Sequence, residues 1–255
     1  MKSVEASLSA RQKYVAHSYR VVQGLALKLR VYAPNANPTG GAIVFFYGGG
    51  WRNGDIEQFA PQSRYLAARG LLAVCAEYRV ANRHGTTPFE ALEDVCASLG
   101  WLRERADALG FAPERLVAAG GSAGGHLALC AALFGSVHLG ALVLFNPVLD
   151  TSEAGFGAER FSGRGLELSP LQHVKPGLPP TLILQGTADD TTPPTTARHF
   201  CELMSAVGNR CELANYVGAE HGFFNPDRHE GRFYKTTLHR TEQFLTSLGY
   251  LEGAL

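Results

Sequence analysis

At 255 residues, 45% of them hydrophobic, the chain is long enough for one sizeable core and about one domain. Its 23 basic residues balance 23 acidic ones, and charged residues make up only 18% of it. With no basic stripe and no acidic tail, composition excludes neither catalysis nor small-molecule binding but gives no ground for nucleic acid or a membrane surface as partner. A neutral chain suits small, uncharged or weakly charged substrates.

Residues 1–24 read as a polar, mixed N-terminal extension without an apolar run resembling a signal peptide. Residues 25–32 alternate apolar and polar side chains and end at Ala33-Pro34, the pattern of a strand near a sheet edge. Residues 42–47 and 71–78 are nearly continuous apolar runs, as expected of strands buried on both faces. Between them, residues 59–69 read as a helix with Leu66 and Ala67 on its apolar side and Gly70 as its stop. After Pro88, the recurrence of Phe89, Leu92, Cys96, Leu99, Leu102 and Ala106 at three- and four-residue steps predicts a long helix. A strand at 115–119, a helix at 123–134 and a strand at 141–145 follow. The last third reads as a strand at 181–184, a helix at 195–207 stopped by Gly208, a strand at 211–217 and a helix ending near Leu248. This alternation predicts an α/β fold, with a doubly wound, mostly parallel sheet carrying helices on both faces of a single domain over 1–255.

Residues 151–180 break the rhythm. They are rich in Gly, Ser and Pro, lack a period, and are too many for a structureless loop, so a small lid-like or substrate-lining segment is expected there. The apolar runs are far below membrane-spanning length, which argues against membrane insertion. Five scattered cysteines without a CxxC pair fit thiols in a reducing cytoplasm. There is no HExxH, and His229, His239 and the other histidines lack ligand spacing, so no metal or cofactor is expected.

The strongest chemical signal is Gly120-Gly121-Ser122-Ala123-Gly124-Gly125, directly after one predicted strand and directly before a predicted helix. Gly-x-Ser-x-Gly in that context is the nucleophile-elbow pattern, with the serine on a sharp turn that flanking glycines keep free of clashes. A phosphate-binding loop fits poorly, since no Lys-Ser/Thr pair follows and Ser122 occupies the middle-glycine position of GxGxxG. Upstream, Tyr47-Gly48-Gly49-Gly50-Trp51 closes an apolar strand, and a glycine triplet there lets backbone N–H groups approach a developing oxyanion. Downstream, Asp189-Asp190 and His221 each follow a predicted strand, giving the chain order Ser…Asp…His of α/β-hydrolase triads. In this order His221 takes the Ser122 proton while a carboxylate fixes its tautomer.

Together the glycine triplet with Trp51, the Gly-Gly-Ser122-Ala-Gly-Gly elbow, Asn146-Pro147, the stretch from Gly186 to Pro193, and His221-Gly-Phe-Phe-Asn225 resemble the bacterial acetyl-esterase/lipase branch of the α/β-hydrolases. That branch is related to hormone-sensitive lipase and to feruloyl and acetylxylan esterases. The resemblance implies Ser122 as nucleophile, His221 as base and Asp189 as acid, with Asp190 the competing carboxylate. It also implies oxyanion N–H groups from Gly49, Gly50 and Ala123. Many relatives carry a histidine, as a loop organiser, where this chain has Tyr47. The late start of the first predicted sheet strand and Gly121 before the serine point towards smaller members without a large cap. Trp51, Phe156 and Phe223 are the candidates to line an acyl or alcohol pocket. The implied reaction is hydrolysis of short-chain, acetyl-type carboxylic esters through an acyl-enzyme. The alternatives are an N-formyl amidase resembling kynurenine formamidase and a non-catalytic hydrolase-fold binding protein. The expected partner is a small-molecule ester, and apolar surface on a last strand or helix would support a homodimer.

Overall fold

The computed structural model describes residues 13–35 and 37–252. Eight strands form one sheet: β1 (Val15–Val22), β2 (Leu25–Tyr32), β3 (Ala42–Phe46), β4 (Leu72–Ala76), β5 (Leu116–Gly121), β6 (Ala141–Phe145), β7 (Thr181–Gly186) and β8 (Cys211–Tyr216). Their order is β1-β2-β4-β3-β5-β6-β7-β8. β2 runs antiparallel to both β1 and β4, and every pairing from β4 to β8 is parallel. Five helices of two turns or more accompany it: α1 (Ala60–Ala68), α2 (Pro88–Glu104), α3 (Ala123–Phe134), α4 (Pro194–Ala206) and α5 (Arg232–Ser247).

The two-residue period of the central strands divides the core. In β3, Val44 and Phe46 face α2 and α3, whereas Ile43 and Phe45 join the cluster containing Leu66 of α1 and Phe244 of α5. Both faces are covered, which is why β3 to β7 read as continuous apolar runs. Parallel strands covered on both faces direct their carboxyl ends to one rim, where active-site loops of such sheets gather.

One sequence expectation needs correction. Of the supposed N-terminal extension, residues 1–12 lie outside the described residues, but Val15–Val22 is an edge strand and not an extension. It pairs with β2 through a tight turn at Gln23 and Gly24, both at positive φ (50° and 83°), the geometry of a two-residue hairpin. An edge strand with half its side chains in solvent carries little apolar signal. It is also tied to α2, since Arg20 donates to the Asp94 carboxylate at 2.6 Å and Arg79 donates to it from the other side, also at 2.6 Å.

Residues 151–180 form the small insertion expected there, a series of turns and short 3-10 helices fixed along their length. Thr151 Oγ1 donates to the Gly165 carbonyl at 2.7 Å, and Ser169 Oγ accepts from the Thr151 N–H at 3.0 Å. The His126 ring of α3 meets the Leu168 carbonyl at 2.8 Å. All five cysteines are free thiols, and no helix among the described residues is long and apolar enough to cross a membrane.

Candidate active site

β5 ends at Gly121 and α3 begins at Ala123, leaving Ser122 alone in the turn with φ 51° and ψ −119°. Such a conformation costs a non-glycine residue about 1–3 kcal/mol and persists only where neighbours enforce it. Here the Ser122 N–H donates to the Phe145 carbonyl of β6 at 2.9 Å, and its carbonyl accepts from the His126 N–H at 3.0 Å. Gly124 explains the glycine two positions on. A Cβ there would run into the carbonyl oxygens of Phe46 and Tyr47, so α3 could not pack this tightly on β3.

Three strand ends converge on the serine. His221, in the loop after β8, places Nε2 3.0 Å from Ser122 Oγ. Its Nδ1 lies 2.9 Å from Oδ2 and 3.1 Å from Oδ1 of Asp189, in the loop after β7. Asp189 is buried, and burial works against its charge. Hydrogen bonds from His221 and from the Thr192 N–H and hydroxyl outweigh that cost and hold the carboxyl below its ordinary value. Asp190 stands exposed one residue on, its carboxylate within hydrogen-bond reach only of the Thr191 hydroxyl, at 3.4 Å. Asp189 is thus the carboxylate that the fold brings to His221.

The glycine triplet flanks the serine from β3. Gly49 and Gly50 sit at φ 119° and 59° and, with Ser122 and His221, line one pocket of about 570 Å³. Ala123 occupies the first position of α3, where helix geometry leaves the backbone N–H without an intrahelical acceptor. The triplet is braced from both ends. Gln58 Oε1 accepts the Gly48 N–H at 2.7 Å, and Arg160 Nη1 donates to the Gly50 carbonyl at 2.9 Å. Tyr47 lies buried and stacked on Tyr78 at 4.2 Å, and each hydroxyl donates to the other residue's carbonyl, at 2.6 and 2.7 Å. This reciprocal pair organises the end of β3.

Of the three aromatic candidates for the pocket wall, Phe156 lines it. The other two require correction. Trp51 is buried behind the triplet against His126 and Phe161, and Phe223 is packed in the core against Tyr216 and Phe233. The turn at Gly222 sends consecutive phenylalanines to different sides, so Phe224 reaches the pocket instead.

Several positioning residues escaped sequence reading. Asn146 Oδ1 accepts the Gly222 N–H at 3.1 Å, fixing the residue after His221. Gln58 Nε2 donates to Asn225 Oδ1 at 3.3 Å, and Asn225 Nδ2 donates to the Gly222 carbonyl at 2.8 Å, linking the triplet to the histidine loop. Lone amides and tyrosines have no spacing signature, although Asn146-Pro147 and Asn225 did stand within the motifs carrying the resemblance.

A sequence profile of the BD-FAE family matches residues 29–160, just over half of the chain. The chain belongs to the BD-FAE family. The matched stretch contains the glycine triplet and Ser122 but ends before Asp189 and His221. Carboxylesterase NlhH of Mycobacterium tuberculosis is 30% identical over 214 residues, 72% of this chain and 66% of the relative, so the match spans about two thirds of that protein's length. The solved structure of Thermogutta terrifontis esterase 2 phosphoramylated by tabun superposes with a TM-score of 0.89 at 40% identity, over 94% of this chain and 97% of the other. The same esterase with butyrate bound gives 0.89 at 38% identity, over 95% and 96%. Together these similarities identify an α/β-hydrolase of the esterase branch related to hormone-sensitive lipase, a carboxylic ester hydrolase, as the sequence motifs led one to expect.

Proposed function

We propose that the chain hydrolyses short-chain carboxylic esters through an acyl-enzyme, with Ser122 as nucleophile, His221 as general base and acid, and Asp189 as the orienting carboxylate. The observation that carries this reading is the continuous relay from Ser122 Oγ through His221 to Asp189, at 3.0 and 2.9 Å. With Nδ1 against a carboxylate, the neutral imidazole keeps its hydrogen there and offers Nε2 to the serine. His221 takes the serine proton as Oγ attacks the ester carbonyl, then delivers it to the departing alcohol. Water repeats the sequence on the acyl-enzyme. Asp189 stabilises the imidazolium in both halves without taking the proton.

The N–H groups of Gly49, Gly50 and Ala123 are assigned to the developing oxyanion, where loss of one such donor costs about 3–4 kcal/mol of barrier height. Support for a short acyl group comes from the butyrate-bound relative. The covalent phosphoramyl adduct of that relative supports a nucleophile of this kind.

Replacing Ser122 by Ala should abolish hydrolysis of 4-nitrophenyl butyrate and labelling by a fluorophosphonate probe. Asp189→Asn should lower kcat by about 10⁴-fold, the loss seen when a triad carboxylate is neutralised, whereas Asp190→Asn should leave it within about twofold. Turnover surviving in the Ser122 variant, or an equal loss in both aspartate variants, would refute the assignment.

A further inference from the structure

The active-site pocket has a charge pattern that ester hydrolysis itself does not require. Among the described residues that line it are three arginines, Arg52, Arg160 and Arg228, and no aspartate or glutamate. In a chain whose formal charges cancel, this is a local concentration of positive charge around the serine.

The three arginines differ in what already occupies them. Arg160 is committed, since it donates to the Gly50 carbonyl, meets Glu159 at 3.0 Å, and lies over the Phe156 ring at 5.0 Å. Arg52 and Arg228 have neither an ion pair nor a side-chain hydrogen bond among the described residues.

The backbones beneath the two free heads are nevertheless fixed. The Arg52 N–H donates to the Gly49 carbonyl at 3.1 Å, and its carbonyl accepts from Asn82 at 3.0 Å. The Arg228 N–H donates to the Asn225 carbonyl at 3.1 Å, and its carbonyl accepts from Gly231 at 2.9 Å. One guanidinium therefore belongs to the loop after β3 and the other to the loop after β8, and both line the pocket that holds Ser122. Guanidinium forks match carboxylates in shape and charge. The remaining wall sets Asn53, Gln58, Asn146 and Asn225 among Phe156 and Phe224.

We infer that the esters this chain prefers carry a carboxylate, held by Arg52 and Arg228 beside the scissile bond. The inference rests on the serine-esterase reading above and narrows its substrate class to anionic esters.

The test compares two matched pairs of esters. With charge on the alcohol, the pair is 4-(butyryloxy)benzoate and 4-(butyryloxy)benzamide. With charge on the acyl group, it is the 4-nitrophenyl monoester of adipic acid and its terminal amide. In at least one pair the acid should show kcat/KM about five- to tenfold above the amide at low salt, the range for two partly solvated ion pairs. The arm that shows it identifies which side bears the charge. The advantage should shrink towards parity at about 0.5 M salt. It should also fall to about one in the Arg52→Gln/Arg228→Gln double variant.

As a check independent of the variants, 4-hydroxybenzoate or adipate should inhibit the unaltered protein competitively at lower concentration than the uncharged 4-hydroxybenzamide or adipamide, respectively. Acids that are no better than amides in both pairs, or a double variant that keeps the ratio, overturn the inference and leave the serine-esterase reading intact. Hydrolysis of acid and amide alike by the Ser122→Ala variant overturns that reading and the inference with it.

Discussion

His126 is a single side chain whose ionisation the fold has reset. It is fully buried on α3, and burial pushes its pKa down to about 4, the bond to the Leu168 carbonyl opposing this only in part. In the unfolded chain the same imidazole titrates near its ordinary value of about 6.5. Between those two values the unfolded state binds the extra proton, so stability falls as pH drops through this window and the loss is complete below pH 4. A displacement of this size is worth on the order of 3 kcal/mol. Between pH 7 and pH 5 the melting temperature should therefore fall more steeply for the unaltered chain than for His126→Gln. Parallel slopes would show that the ring does not carry the effect. Asp189 is the opposite case, because its partners hold it ionised below the usual aspartate range. Ser122, Asp189 and His221, which the fold brings together, were legible in the sequence because strand, turn and chain order constrain them jointly. Gln58 and Tyr78 were not, because their contacts form only after folding.

At the scale of elements, the chain was read best where both faces of a strand are covered. β3, β4, β6 and β7 announce themselves as apolar runs, while β1 is half solvated and was missed for that reason. Beyond its ladder with β2, β1 is held by the Tyr19 hydroxyl, which donates to the Glu77 carbonyl at 2.5 Å, and by the carboxylate of Asp94 on α2, which is fully buried between Arg20 and Arg79. Removing one member of such a group strands buried charge and typically costs about 3–5 kcal/mol. Asp94→Ala should lose about that much in urea unfolding. Arg20→Ala should lose less, because Arg20 keeps 29% of its side chain in solvent and Arg79 remains to hold the carboxylate. An equal cost for both would mean that the ladder with β2 matters and the ion pairs do not. Residues 151–180 defeated pattern reading for another reason. Turns held by Thr151, Ser169 and the Leu168 carbonyl need no hydrophobic period, so none was there to find.

On the scale of the molecule, Ser122 and His221 lie 99 residues apart, and His221 follows Asp189 by 32. They meet only when β5, β7 and β8 take their places in one sheet, so the relay exists in no smaller part of the fold. Chain order revealed this assembly, whereas the charge pattern of the pocket emerges only when segments from five strand ends close around it.

Trp51 turns that assembly into an optical signal. It lies between the glycine triplet, the His126 ring at 5.0 Å and Phe161 of the 151–180 segment at 5.2 Å, sealed from solvent. The chain has two tryptophans, and the other, Trp101, sits near β1 against His17. In a Trp101→Phe variant all tryptophan emission would come from this one indole. Its spectrum should shift to the red at the same urea concentration at which ester hydrolysis disappears. If the shift comes first while hydrolysis persists, residues 151–180 detach before the sheet opens, and the fluorophore has separated two events that activity alone would merge.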